Sequence, residues 1–235
     1  FPAGWSGLSS VFFINRNVHE VLGAFEDQFV IVSSQTGFYY PGENVNTLNH
    51  WEDSPGYVIK SNEAFNFEYP GRTRKPAELD VPAGWSILPG WNDCPADISD
   101  VFLPGDPQPV IVKEIGGSGI FWPEMGVFTL TNLGPNQAYW ALMDEAGLAI
   151  FPGCPGKSSS VHLSNSFQNK SDWPTPVPTS SSHIIHMSEK FINDAGLSSG
   201  DYLGAFDAEG NCFGMISPEG QQNYAIAAFA DDPTT

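Results

Sequence analysis

The side chains able to do covalent or metal chemistry are few and scattered. Five histidines (His19, His50, His162, His183 and His186) include no His-x-x-x-His pair, and three cysteines (Cys94, Cys154 and Cys212) include no C-x-x-C. Neither pattern offers the close ligand spacing of a zinc site. His183 and His186 stand three apart in a segment that alternates as a strand, so they fall on opposite faces and do not share a metal. An enzyme would need a nucleophile with a base, a metal cluster or a paired-carboxylate cleft, and the spacing does not show which of the many Asp and Glu residues converge. The sequence therefore predicts no catalytic residues and a protein that is not an enzyme.

Binding chemistry has better candidates. Tyr39, Tyr40, Phe121 and Trp122, with Trp51, Trp91 and Tyr139, offer flat faces on which the CH groups of a sugar ring can pack, with Asn or Asp nearby for its hydroxyls. The competing expectation is that alternate members of each strand are core, and Trp5 and Trp85 are expected there. Calcium is the one cofactor suggested: Asp201, Asp207, Glu209 and Asn211 surround a single turn, with Asp231 and Asp232 further on, although the spacing is not that of an EF-hand and also suits an ordinary Gly turn. Asn169-Lys170-Ser171 is the single N-x-[ST] sequon, and the run Thr175 to Ser182 could carry O-linked sugar or be plain exposed loop. For a disulfide, Cys94 and Cys154 are favoured, because each precedes a proline near an end of the same repeat; Cys212 is expected to stay buried in a strand.

The elements that must position these residues come from a duplication. Pro2-Ala3-Gly4-Trp5-Ser6 recurs as Pro82-Ala83-Gly84-Trp85-Ser86, and at the same offset Val30-Ile31-Val32 recurs as Val110-Ile111-Val112. After a two-residue insertion, Phe38-Tyr39-Tyr40-Pro41 matches Ile120-Phe121-Trp122-Pro123, Thr47-Leu48 matches Thr129-Leu130, and Gly56-Tyr57 matches Ala138-Tyr139. Each copy alternates β-branched or aromatic runs with Gly, Pro and Asn breakers, the pattern of strands joined by tight turns. One short helix per copy is expected, Asn17 to Phe25 and Asp97 to Phe102, capped by Asn17 and Asp97. The fold expected is mainly β: copy one over residues 1–72, copy two over 80–153, packed face to face, and a third β-sandwich-like module over 156–235. Arg72 to Pro76 and Lys157 to Ser160 are expected to be exposed connections. In the third module, strands are expected at His183 to Met187, Tyr202 to Phe206, Cys212 to Ile216 and Tyr224 to Phe229, with a helical turn within Phe191 to Leu197 and a hairpin that places Gly210 at positive φ.

Charge excludes some partners. The 235 residues carry 27 Asp plus Glu against 9 Lys plus Arg, a net charge of -18 that repels nucleic acid and anionic membrane surfaces. Yet only 15% of residues are charged and 13% are aromatic, with 24 glycines and 20 prolines, so the chain is a folded, turn-rich protein and not an acidic tail. No apolar run reaches the roughly 18–20 residues of a membrane helix. A start at Phe1 without a leader suits a mature or excised secreted segment, and the composition points to an extracellular location.

The repeat resembles a "PAGWSG … (V/I)-I-V … Y-(W/Y)-P-G-x-N … NTL … GY-x-I-K" module of the large cell-surface proteins of gliding bacteria with type IX secretion. Pro2 to Ser10, Val30 to Val32, Gly37 to Leu48, Trp51 and Gly56 to Lys60 carry the likeness, and the second copy keeps Pro82 to Ser86 and Thr129-Leu130. The third segment is similar to their "GD-x-(I/L)-GAF … G-x-C-x-G" module through His183 to Ile185 and Gly200 to Gly214, and by that likeness Thr235 falls inside a module. The resemblance implies a stalk, display or adhesion part. The resulting expectation is a non-enzymatic structural or adhesive cell-surface glycoprotein whose partners are copies of itself or other surface modules, assembling into strand-complemented fibres. The alternative is a set of carbohydrate-binding modules with polysaccharide as partner.

Overall fold

A computed structural model describes residues 1–10, 15–52, 56–67, 78–153, 169–218 and 223–232. Both connections expected at Arg72 to Pro76 and Lys157 to Ser160 lie outside these residues. The described chain is mainly β, arranged in several antiparallel sheets.

Copy one contains β1 (Gly4–Leu8), β2 (Asn15–Asn17), α1 (Val18–Leu22), β3 (Phe29–Ser33), β4 (Phe38–Tyr40), β5 (Val45–Asn46), β6 (His50–Glu52) and β7 (Tyr57–Ser61). Its main sheet has the order β1-β7-β3-β4-β5, and β2 pairs with β6. Copy two contains β8 (Glu78–Val81), β9 (Gly84–Pro89), β10 (Ala96–Asp97), α2 (Ile98–Val101), β11 (Pro109–Glu114), β12 (Ile120–Trp122), β13 (Val127–Phe128), β14 (Asn132–Leu133), β15 (Ala138–Met143) and β16 (Gly147–Ile150). Its main sheet has the order β9-β15-β11-β12-β13, with β10 on β14, so the two sheets match strand for strand. Copy two adds a ladder of β8 with β16; at the corresponding place in copy one, the backbones of Phe1 and Phe65 exchange two hydrogen bonds.

The residues that recur do the same structural work in both copies. Gly4 and Gly84 hold φ of 89° and 86°, a backbone conformation that side chains disfavour, at the entry to β1 and β9. Asn17 and Asp97 cap the helices, each side chain accepting from the backbone N–H two residues on at 2.9 Å. Thr47 and Thr129 Oγ1 accept from the N–H of Phe38 and Ile120, each at 3.0 Å. Tyr57 Oη accepts from Glu52 N–H at 2.8 Å, and Tyr139 Oη from Gly134 N–H at 2.7 Å. Burial pushes the Tyr139 phenol well above its ordinary range, so the group stays neutral and hydrogen-bonded. The helical segments fall where the sequence suggests. α1 tightens into a 3₁₀ turn at Gly23–Gln28, past the expected end at Phe25, and α2 ends at Val101 with Phe102 as its C-cap, two residues before Pro104.

Each main sheet has one face covered by its own chain. Leu8, Leu22, Val32, Trp51, Tyr57 and Ile59 fill that core in copy one; Leu88, Ile98, Phe102, Val112, Leu133 and Tyr139 fill it in copy two. The opposite faces meet each other. Trp5 and Val58 pack against Ile87, Ile115 and Ala138, with Ile31 and Trp140 at the margin. The contact has an approximate two-fold logic: Gly7 lies on Ala138, and their equivalents Ile87 and Gly56 lie on each other. A methyl group at Gly7 would sit 1.9 Å from the Ala138 carbonyl oxygen, and one at Gly56 would sit 2.5 Å from Ile87 Cγ2. Small residues in copy one thus receive larger ones from copy two. Ser9 ties the margin, its N–H donating to Asn136 O at 3.0 Å and its hydroxyl to Gln137 O at 2.6 Å.

The third module contains β17 (Ser182–Met187), α3 (Glu189–Asp194), β18 (Leu203–Phe206), β19 (Cys212–Ile216) and β20 (Tyr224–Phe229). β17 pairs with β20 and β18 with β19; the two ladders and α3 enclose Met187, Ile192, Tyr224 and Ile226. α3 starts earlier than the turn expected at Phe191, because Ser188 Oγ accepts from the Phe191 N–H. Gly210 has φ of 89°, as the hairpin requires. Ala225, Ala227 and Phe229 of β20 pack on Ile111, Ile120 and Val127, so the inner face of the copy-two sheet is shared between copy one and the third module.

Gly7→Ala should destabilise the protein by about 1–3 kcal/mol through overpacking between the copies. Gly42→Ala, where the added methyl would meet only the Tyr40 ring at 3.6 Å, should be close to neutral. Urea denaturation of the two variants measures the difference.

Candidate functional site

Where the three modules meet, the sheets leave a cleft of about 340 Å³. β1 contributes Trp5, and β4 contributes Phe38 and Tyr40. β15 contributes Trp140, whose indole N–H donates to Ser180 O at 3.0 Å. Ser33, Ser34 and Ser180 line the cleft as well, with the apolar Ile31, Val58 and Ile87. Among the described residues, the side-chain hydroxyls of Ser33, Tyr40 and Ser180 have no hydrogen-bond partner, which leaves them available to a bound molecule.

A cation sits beside an indole at each side of this junction. Lys60 Nζ lies 5.8 Å from the Trp5 ring centroid and 2.8 Å from Asp232 Oδ2, and the Trp5 indole N–H donates to the same carboxylate at 3.2 Å. Asp232 therefore ties the third module's last described residues to copy one. Lys113 Nζ lies 5.4 Å from the Trp85 ring and donates to Ser182 O at 2.7 Å and Ser182 Oγ at 3.1 Å, tying copy two to β17. Lys113 is only 7% exposed, and burial pushes its ammonium down to about 8.

The structure redistributes the residues singled out from sequence. Trp85, expected in the core, is 46% exposed: Gln35 Nε2 donates to its carbonyl, Trp140 meets its ring edge-on at 6.5 Å and Lys113 Nζ lies over the ring, whereas Gly116 and Asp232 close over Trp5. Tyr39 is buried and donates to the Glu26 carboxylate, which this bond and His19 hold below the usual carboxylate range. Trp51 is wholly buried and stacked on Tyr57 at 4.2 Å, and Trp91 and Tyr139 are also core. These four present no face to a ligand. Phe121 packs on the copy-two core, and Trp122 is half-buried beside His186 at the junction with β17. Tyr40 alone of the aromatic candidates lines the cleft. Trp140, Phe38 and the serines were not anticipated; the alternation of Trp140 against buried Tyr139 in β15 was the available signal.

Carboxylates of the acidic turn close the backbone around them. Asp207 Oδ1 and Oδ2 accept from the backbone and side chain of Asn211, each at 2.7 Å, which lowers the Asp207 carboxyl, while Asp201 accepts from Ser198 N–H in a separate turn. Glu209 adds no third carboxylate: among the described residues, no group of three His, Cys, Asp or Glu could hold a metal ion. Asn169 donates through Nδ2 to Trp173 O and Thr175 Oγ1, so its amide is engaged within its own loop. Cys94 is disulfide-bonded and Cys212 is a buried free thiol, while Cys154 lies outside the described residues.

No protein-family model, curated protein or solved structure matches the chain.

Lys113 makes stability depend on pH in a defined direction. Its folded pKa lies below the ordinary lysine value of about 10.4, so between the two the unfolded chain binds more protons and stability rises with pH. Between about pH 7.5 and about pH 10, the wild type should gain about 1–2 kcal/mol relative to Lys113→Met, once solvent screening is allowed for. Urea curves at each pH measure this; parallel pH profiles of the two proteins contradict it.

Proposed function

We propose that the chain is a non-enzymatic, extracellular cell-surface protein of structural or adhesive type that assembles with further copies of itself through strand pairing. The observation that carries this reading is the outer edge of β17. Among the described residues, this six-residue strand pairs with β20 alone, and its Ile185 is 43% exposed. An open edge presents unpaired backbone donors and acceptors, which a strand from a neighbour satisfies. The docking of three modules through shared apolar faces suits a rigid display unit, and the net charge of -18 suits a solvated surface. The resemblance to surface modules of gliding bacteria points the same way.

A second reading, carbohydrate binding, is favoured by the cleft, where aromatic faces stand next to unpartnered hydroxyls. Display and glycan binding are compatible, since an adhesive surface protein needs both a rigid body and a ligand.

Light scattering and negative-stain microscopy of the purified chain test assembly. Concentration-dependent filaments are expected for the wild type and should be suppressed by Ile185→Lys, because a charge on the strand opposes edge pairing. A wild-type chain that stays monomeric at high concentration rejects the fibre reading.

A further inference from the structure

We infer that the cleft between the two repeats is a composite site for a neutral polysaccharide, completed only when all three modules are docked. The inference rests on the carbohydrate-binding reading above and specifies its location, ligand class and dependence on assembly. Tyr40 and Ser33 come from copy one, Trp140 from copy two, and Ser180 from the segment leading into β17, so no single module holds the constellation; Trp5, 6% exposed, closes the base of the cleft. The cleft volume of about 340 Å³ falls within the range of roughly 300–1,000 Å³ for small-ligand pockets.

The wall chemistry selects the ligand. A pyranose presents CH groups that pack on indole and phenol planes, and hydroxyls that the side chains of Ser33, Tyr40 and Ser180 can bind. An acyl chain would leave those hydroxyls unused. The lining carries no charged side chain, and the chain's net charge of -18 opposes acidic glycans, so a neutral saccharide is the electrostatic match. Trp85, 46% exposed and edge-on to Trp140, extends the aromatic surface beyond the cleft. A linear glycan can therefore leave the cleft along Trp140 towards Trp85, which favours a chain over a lone monosaccharide.

The test uses the full chain against a panel of neutral linear glucans, xylans and mannans, with a sulfated and a uronic-acid polysaccharide for comparison. Binding is followed by affinity electrophoresis and by calorimetry with the matching oligosaccharides. Tyr40→Ala should weaken binding at least about tenfold, and Trp85→Ala should weaken long oligosaccharides more than short ones. Ser33→Phe, which fills the cleft without removing a ring, should abolish binding while circular dichroism and melting temperature stay close to wild type. Phe128→Ala, at an exposed aromatic outside the cleft, should leave affinity unchanged. If a neutral glycan binds but Tyr40→Ala and Ser33→Phe bind equally well, the cleft assignment fails while the carbohydrate-binding reading stands. If no glycan on the panel binds, or acidic ones bind more tightly than neutral ones, the inference is overturned; complete lack of binding removes the broader reading as well.

Discussion

The close approach of β1 to β15 sets the rest of the architecture. Each main sheet is apolar on both faces, and its own chain covers only one of them. The uncovered faces would expose Trp5, Val58, Ile87 and Ile115 to water, so burying them against each other is the dominant gain in joining the copies. That burial requires the backbones to come close, which Gly7 and Gly56 permit. The duplicate is therefore not two beads on a string; each copy supplies the cover that the other lacks.

An approximate two-fold contact between copies that are no longer identical produces asymmetry. Trp5 and Trp85 belong to the same pentapeptide, yet one is buried and the other is 46% exposed. Trp5 is covered because Gly116 approaches its backbone and Asp232 accepts from its indole. The inner face of the copy-two sheet is divided, part of it taken by β20, and Trp85 is left at the rim beside Lys113. The half-buried Lys60–Asp232 pair and the buried Lys113 both cross module boundaries. Because desolvated charges are costly unless bonded, these contacts favour one docking arrangement over sliding alternatives.

Much of the fold was legible because its determinants are local. β19 and β20 span the residues expected from alternation alone, Cys212–Ile216 and Tyr224–Phe229. Asn17 and Asp97 cap helices as their type and position suggested, and Gly210 takes the positive φ its turn needs. The binding candidates fared differently. Alternation says that Tyr39 and Tyr40 point to opposite faces, but not which face is covered. Tyr39 proved to be core and Tyr40 to line the cleft. The acidic turn shows a related effect: composition shows how many oxygens are near one another in sequence, while Asp207 and Asp201 accept hydrogen bonds in separate backbone turns.

The amino-acid order thus specified the mainly β class, the duplication, the cap residues and the third module's strands, since each depends on periodicity and on interactions among residues close in the chain. Docking assigned the exposure of Trp85, the use of Asp232 as a clamp and the assembly of the cleft. Those outcomes depend on contacts between residues as far apart as Trp5 and Asp232. The free energy of such contacts comes from surfaces covered on folding, and no local pattern encodes which surface will cover which.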